Sequence, residues 1–248
     1  MTGSGSSAPG PLHELVRFVR AALLDPVPRD HRESDSAFRR RRIVACITIV
    51  IGAVLLGLSL NLSPGDKRFY LSTFALAAVW TIGSFVSGPL HLGQANTRAG
   101  GRFVRPVLQP VVLGIAAVAI FVAGAVVVAH IPPLRDSVNA VLDHVRFASL
   151  PVVAVITLVN GIAEELFFRG ALFAAIGARY PVPISTVIYG LTTVATGNVM
   201  LVFAAVVLGL LVGLQRRVTG GVLAPMIIHC VWSIGMLLAL PPLLEHLA

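Results

Sequence analysis

The chain has 248 residues, of which 56% are hydrophobic and only 12% charged, against about 25% charged in soluble domains. With a mean hydropathy of +0.88 and repeated apolar runs of about 18 residues or more, this excludes an ordinary soluble domain and indicates an all-α, polytopic transmembrane helical bundle. The net charge of +8 would suit a nucleic-acid partner. The arginines, however, cluster beside apolar segments as membrane flanks do, so membrane lipids are expected as partners and nucleic acid is not. Cys46 and Cys230 both lie in apolar runs, form no metal-ligand spacing and imply no disulfide. No cleavable signal is expected, because the first apolar run starts near residue 43 and is too long for one.

In chain order, residues 1–42 form an N-terminal region. Residues 1–11 are rich in Gly, Ser and Pro, a composition of disordered chain. Between Leu12 and Leu24, Leu12, Leu15, Val16, Val19 and Leu23 share one face and His13, Arg17 and Arg20 the other. That pattern predicts an amphipathic helix on the cytoplasmic surface, with a solvated tail as the alternative. A linker follows from Pro26 to Asp35. Arg39, Arg40, Arg41 and Arg42 then read as a topology anchor for the first span.

Residues 43–148 hold three expected spans, at about Ile43–Leu62, Tyr70–Leu90 and Val107–Ala129. The loop 91–106 carries Arg98, Arg102 and Arg105 without an acid and is expected on the cytoplasmic side, as is the N-terminus. Residues 130–148 mix Arg135, Asp136, Asp143 and Arg146, and Val138, Val141, Leu142 and Val145 predict a short interfacial helix on the outer side.

The segment 149–241 is where chemistry concentrates. From Ser149 to Ala178 the apolar run would extend roughly 45 Å as a helix at about 1.5 Å per residue, against a hydrocarbon thickness of about 30 Å. It should tilt, break near Gly170 or run along the interface. It contains Glu164, Glu165 and Arg169, and an ionisable group in hydrocarbon costs at least about 2.5–3.5 kcal/mol. Glu165 and Arg169 are four apart and can pair. Glu164 points about 100° away, on a stripe with Thr157, Asn160 and Phe168. A fifth span is expected at about Val182–Ala195, short for a crossing. A sixth runs from about Val199 to Leu214, and a seventh from about Val222 to Leu240, where Pro241-Pro242 should stop it. Thr186, Tyr189 and Thr193 share a face of the fifth, and Pro225, His229 and Ser233 a face of the seventh. Glu164, Thr193 and His229 lie at similar depths, so one polar chamber is expected.

Glu164-Glu165-x-x-x-Arg169 resembles the first motif of the CPBP intramembrane proteases, which include type II CAAX prenyl endopeptidases and Abi-like immunity proteins. Tyr189 with Thr193 is similar to the second motif, with threonine in place of histidine. His229 with Ser233 is similar to the third, with serine in place of Asn or Asp. The resemblance implies hydrolysis of a peptide bond in a membrane-associated protein or peptide, CAAX-type processing being one form. Glu164 would activate water as a general base, Glu165 and Arg169 would tune it, and His229 would bind metal or stabilise the oxyanion. Tyr189, Thr193 and Ser233 are candidate oxyanion or substrate contacts. A catalytic zinc usually takes three protein ligands. Here only Glu164, Glu165 and His229 are available, so zinc and metal-free mechanisms both stay open. A pseudo-protease serving as a membrane scaffold is the alternative. A proton-linked transporter is disfavoured, since no internal repeat is present.

Overall fold

A computed structural model of the chain describes residues 10–28, 33–96, 103–146 and 149–247. The Gly/Ser/Pro-rich residues 1–9, part of the expected linker (29–32) and the loop residues Arg98 and Arg102 lie outside the described residues. The helices are α1 (Pro11–Leu23), α2 (Asp35–Leu60), α3 (Lys67–Ser87), α4 (Leu108–Ala129), α5 (Pro132–Arg146), α6 (Leu150–Glu165), α7 (Phe173–Ile176), α8 (Pro181–Val194), α9 (Val199–Thr219) and α10 (Leu223–Leu247). A π-helix, Leu166–Leu172, joins α6 to α7. Two short antiparallel strands, β1 (Ala95–Asn96) and β2 (Phe103–Val104), pair Ala95 with Val104.

Six helical segments among the described residues are long and apolar enough to cross a membrane: α2, α3, α4, the continuous Leu150–Ile176 run, α9 and α10. The expected fifth span is α8, a helix of 14 residues, or about 21 Å at the usual rise. It is too short to cross alone, so the seven expected spans are six long helices and one short apolar one. The long fourth segment does not break at Gly170. It deforms into π-helix, the local widening that an extra residue forces on an α-helix.

Two boundaries differ from expectation. α2 begins at Asp35, where the Ser34 hydroxyl accepts from the Ala37 N–H as an N-cap does. The four arginines are therefore on the helix itself, and Arg41 is buried. The last span does not stop at Pro241-Pro242; α10 continues through both to Leu247. Interior prolines cost about 3 kcal/mol or more through the lost N–H and the clash with the preceding turn. Here the turn beyond them is held by Leu244, packed with Ala129 of α4 and Leu142 of α5, and by Leu240 and Leu247.

Connectivity gives the bundle two ends. At one end Arg41 donates to Glu33 through Nε at 3.0 Å, to the Ser87 hydroxyl and to the Pro89 carbonyl. The Arg41 guanidinium holds the Glu33 carboxyl below its ordinary value. The chain after α3 then threads against the α9–α10 turn. Val222 N–H donates to His91 O, Leu223 N–H to Leu92 O and Gln94 N–H to Thr219 O. The approach requires glycine on both sides, since a Cβ on Gly221 would lie 2.0 Å from Gly93 N. At the opposite end α5 lies across the bundle. His144 Nε2 bonds the Leu62 carbonyl at 3.0 Å, and Asn198 Nδ2 donates to the Ser137 carbonyl at 2.7 Å. α5 is a helix where its valines and leucine predict one, with Leu142 buried.

The main core packs α2 and α3 against the π-helix. Trp80 stacks on Phe167 at 4.7 Å and tilts onto Phe168 at 5.1 Å. Gly52 of α2 makes room for it, because a Cβ there would lie 2.0 Å from Trp80 Cη2. Gly52→Ala should destabilise the protein by about 1–3 kcal/mol, the usual cost of overpacking. Gly124→Ala, at a position with nothing within 4 Å, should be neutral or stabilising. Unfolding midpoints of the two variants in detergent micelles check this.

Candidate active site

The glutamate pair sits where α6 passes into the π-helix, and the two carboxylates face different helices. Glu165 is fully buried. Its Oε1 accepts from Arg169 Nη1 at 3.2 Å and from His229 Nδ1 of α10 at 2.8 Å. Glu164 instead accepts a short hydrogen bond from the Tyr189 hydroxyl of α8. The 100° between neighbouring helix residues thus connects one dipeptide to two helices. The sequence predicts Glu164 and His229 in one chamber and Glu165 paired with Arg169; Glu165 has that partner and takes His229 as a second.

A carboxylate partner makes Nδ1 of His229 the proton-bearing nitrogen, the orientation by which a second group fixes a histidine tautomer. Among the described residues no hydrogen bond engages Nε2. Gly161 lets α6 come close, since a Cβ there would lie 3.3 Å from the imidazole Cδ2. Arg169 is also fully buried, with its guanidinium carbon 4.7 Å from the centroid of the Tyr189 ring, within cation–π reach. Gly209 of α9 opens the space for it, as a Cβ there would meet Arg169 Nη2 at 3.0 Å.

A cavity of about 180 Å³ opens onto these groups. Glu164, Tyr189, Thr193, Thr196 and His229 supply its polar wall, and Leu56, Leu60, Trp80, Phe168, Leu201, Leu208 and Trp232 much of its apolar wall. Such a space is small beside ligand pockets of about 300–1,000 Å³. It takes a water and a side chain rather than a length of peptide.

The sequence-predicted residues divide as follows. Glu164, Tyr189, Thr193 and His229 converge on the cavity. Glu165 and Arg169 lie behind it as a buried pair. Thr193 lines the cavity, but its hydroxyl donates to the Tyr189 carbonyl at 2.9 Å, so its proton is engaged within α8. Ser233 is buried but is not among the cavity-lining residues.

Sequence reasoning missed three contributors. Trp80 and Trp232 form cavity walls, with no signal beyond an aromatic in an apolar run. Arg216, just past the expected sixth span, is buried and its Nε donates to the Arg169 carbonyl at 2.6 Å. A π-helix displaces carbonyls from their ordinary partners, and this one finds a side chain on α9.

No group of three or more His, Cys, Asp or Glu side chains suited to a metal ion occurs among the described residues. With Glu165 Oε1 engaged by Arg169 and His229, the donors left toward the cavity are Glu164 and His229 Nε2. That set does not fit the three-ligand catalytic zinc site.

These features define a polytopic helical membrane protein with a carboxylate–histidine chamber inside the bundle. Residues 146–235 match the family of Type II CAAX prenyl endopeptidase Rce1-like proteins, the grouping to which the Glu164-Glu165-x-x-x-Arg169 motif pointed. The match covers the glutamate segment, α8, α9 and the first half of α10, and leaves α1–α4 outside it. No curated protein and no solved structure matches the chain.

The buried pair makes Arg169 a point of weakness. Arg169→Ala should cost about 3–5 kcal/mol by leaving the Glu165 charge with His229 alone. Adding Glu165→Gln should restore part of that loss, so the two substitutions will not be additive. Chemical unfolding of the single and double variants measures the difference.

Proposed function

We propose that the chain is an intramembrane endopeptidase that hydrolyses a peptide bond of a membrane-associated protein or peptide. The observation that carries this reading is the shared cavity of Glu164 and His229, with His229 oriented from behind by Glu165. The Rce1-like match over the same helices supports it, and CAAX-type processing is one form the reaction can take.

In the proposed reaction, Glu164 takes a proton from a water in the cavity as that water attacks the scissile carbonyl carbon. General-base help of this kind contributes about 10²–10⁴-fold. The developing oxyanion needs hydrogen-bond donors. The Tyr189 hydroxyl, which rests on Glu164, is free to turn once Glu164 is protonated. Collapse of the tetrahedral species breaks the C–N bond, and the proton held by Glu164 passes to the leaving amine. His229 Nε2 takes the remaining proton, from the hydroxyl of the tetrahedral species as it becomes the carboxylate product, and releases it to water as the products leave; Glu165 stabilises the imidazolium in between, as the orienting carboxylate of a triad does. No step is assigned to a metal.

A second reading, a pseudo-protease acting as a membrane scaffold, is favoured by two observations. The Thr193 proton is committed to backbone, and Ser233 stands outside the cavity lining. Cleavage of a labelled peptide library by the purified protein separates the two. Glu164→Gln should lower turnover by about 10²–10⁴-fold with the unfolding midpoint little changed. Cleavage that survives Glu164→Gln rejects the mechanism. Cleavage lost to a chelator and restored by zinc requires a metal site outside the donor set described above.

The N-terminus is proposed to be cytoplasmic. Arg39, Arg40, Arg42, Arg105, Arg179 and Arg217 are all exposed at one end of the bundle, and an excess of Lys and Arg marks the cytoplasmic face. Ser36→Cys should react with an impermeant maleimide only after the cytoplasmic face is exposed, and Ser137→Cys from outside intact cells.

A further inference from the structure

The N-terminal helix has three faces, and the fold uses one of them. α1 starts at Pro11 and carries Glu14 in its first turn, as helix N-termini favour. Ala22 is fully buried and Phe18, four residues earlier, is half-buried, so this edge lies toward the protein. His13, Arg17 and Arg20 form an exposed polar face, on which Arg17 pairs with Glu14 at 2.9 Å and Arg20 with Asp25 at 3.6 Å. The third face is apolar and stays uncovered among the described residues. Leu12 is 73% exposed, Leu15 57%, Val16 50% and Val19 40%, although the apolar stripe of a helix ordinarily faces a core.

The helix is nevertheless fixed in place. The Gln215 amide of α9 donates to the Ala22 carbonyl. Val27 N–H donates to the Val218 carbonyl at 2.9 Å, and the Val27 side chain is buried. Gln215 and Val218 lie in the last turns of α9, a helix long and apolar enough to cross a membrane. α1 is thereby held at the depth where that span leaves the hydrocarbon, at the end of the bundle that carries the exposed arginines. An amphipathic helix at that depth buries its apolar face at the boundary between head groups and acyl chains.

We propose that the apolar face of α1 docks into phospholipid. Acyl chains cover Leu12, Leu15, Val16 and Val19, and lipid phosphates meet Arg17 and Arg20. Phosphate is common to zwitterionic and acidic phospholipids, so either serves. Exposed ion pairs such as Arg17–Glu14 are weak and leave guanidinium donors for phosphate oxygens. Residues 1–9 offer no rival cover, since beyond Met1 their sequence holds no large apolar side chain. α1 and residues 24–28 then form a strap from the lipid surface to the last turns of α9, the stretch from which Arg216 reaches the Arg169 carbonyl. Docking of this kind requires neither peptide cleavage nor a particular side of the membrane.

The test uses the full chain with Cys46→Ala and Cys230→Ala, carrying an environment-sensitive fluorophore on Leu15→Cys or, as the polar-face control, on His13→Cys. The protein is placed in phosphatidylcholine nanodiscs, with and without a nitroxide on the lipid acyl chain near the head group. Expected are blue-shifted emission at position 15 and its loss to the nitroxide lipid, with position 13 neither shifted nor strongly quenched. Unshifted emission at position 15 leaves the face in water and overturns the proposal. Shifted emission that the nitroxide does not quench also overturns it, because protein, such as a second copy of this chain, then covers the face. Val16→Asp with Val19→Asp should abolish the quenching at position 15 and, in hydrogen exchange, remove protection of the Val27 amide. Protection of Val27 that survives loss of the quenching overturns the strap.

Discussion

One carboxylate oxygen, Oε1 of Glu165, accepts from both Arg169 and His229 with no solvent at hand. Removing a buried charge from its partner is severely destabilising, so this oxygen fixes the relation between the π-helix and α10. Other atoms of the pair, Glu165 Oε2 and Arg169 Nε and Nη2, have no hydrogen-bond partner among the described residues. The arginine instead rests against the Tyr189 ring. Helices on three sides of the site thus meet around one ion pair, and the position of His229 follows from it.

From that constraint comes the division between the glutamates. Glu165 is spent on structure and orientation, which leaves Glu164 as the carboxylate offered to the cavity. Its link to Tyr189 ties it to α8, an apolar helix too short to cross alone. The aromatic packing of Trp80 on Phe167 and Phe168 then holds the π-helix from the α3 side, and Arg216 holds it from α9. A π-segment is a local departure from the favoured α-geometry and persists where neighbours over-determine it.

The two ends of the bundle are built differently, and for physical reasons. The arginine end is drawn tight by backbone hydrogen bonds, a glycine–glycine approach and buried guanidinium groups. The other end is spanned by an amphipathic helix held by two polar contacts, and the cavity is lined there by residues of α2 and α9.

The amino-acid sequence alone determined much of this. Apolar run lengths set the number and order of helices, because hydrocarbon demands about 20 residues per span. The cost of intramembrane charge singled out Glu164, Glu165, Arg169 and His229, and the 100° step of a helix separated the two glutamates. Helix ends at prolines and arginines were misread, because tertiary packing outweighed local propensity. Leu244 carries α10 past Pro241-Pro242, and Arg41 and Arg216 turn inward, to the Ser87 hydroxyl and the Arg169 carbonyl. Which glutamate meets His229, and that the Thr193 proton is engaged, were decided only by the tertiary structure. Each depends on the rotation and depth of one helix against another, and periodicity along a single segment carries no such information.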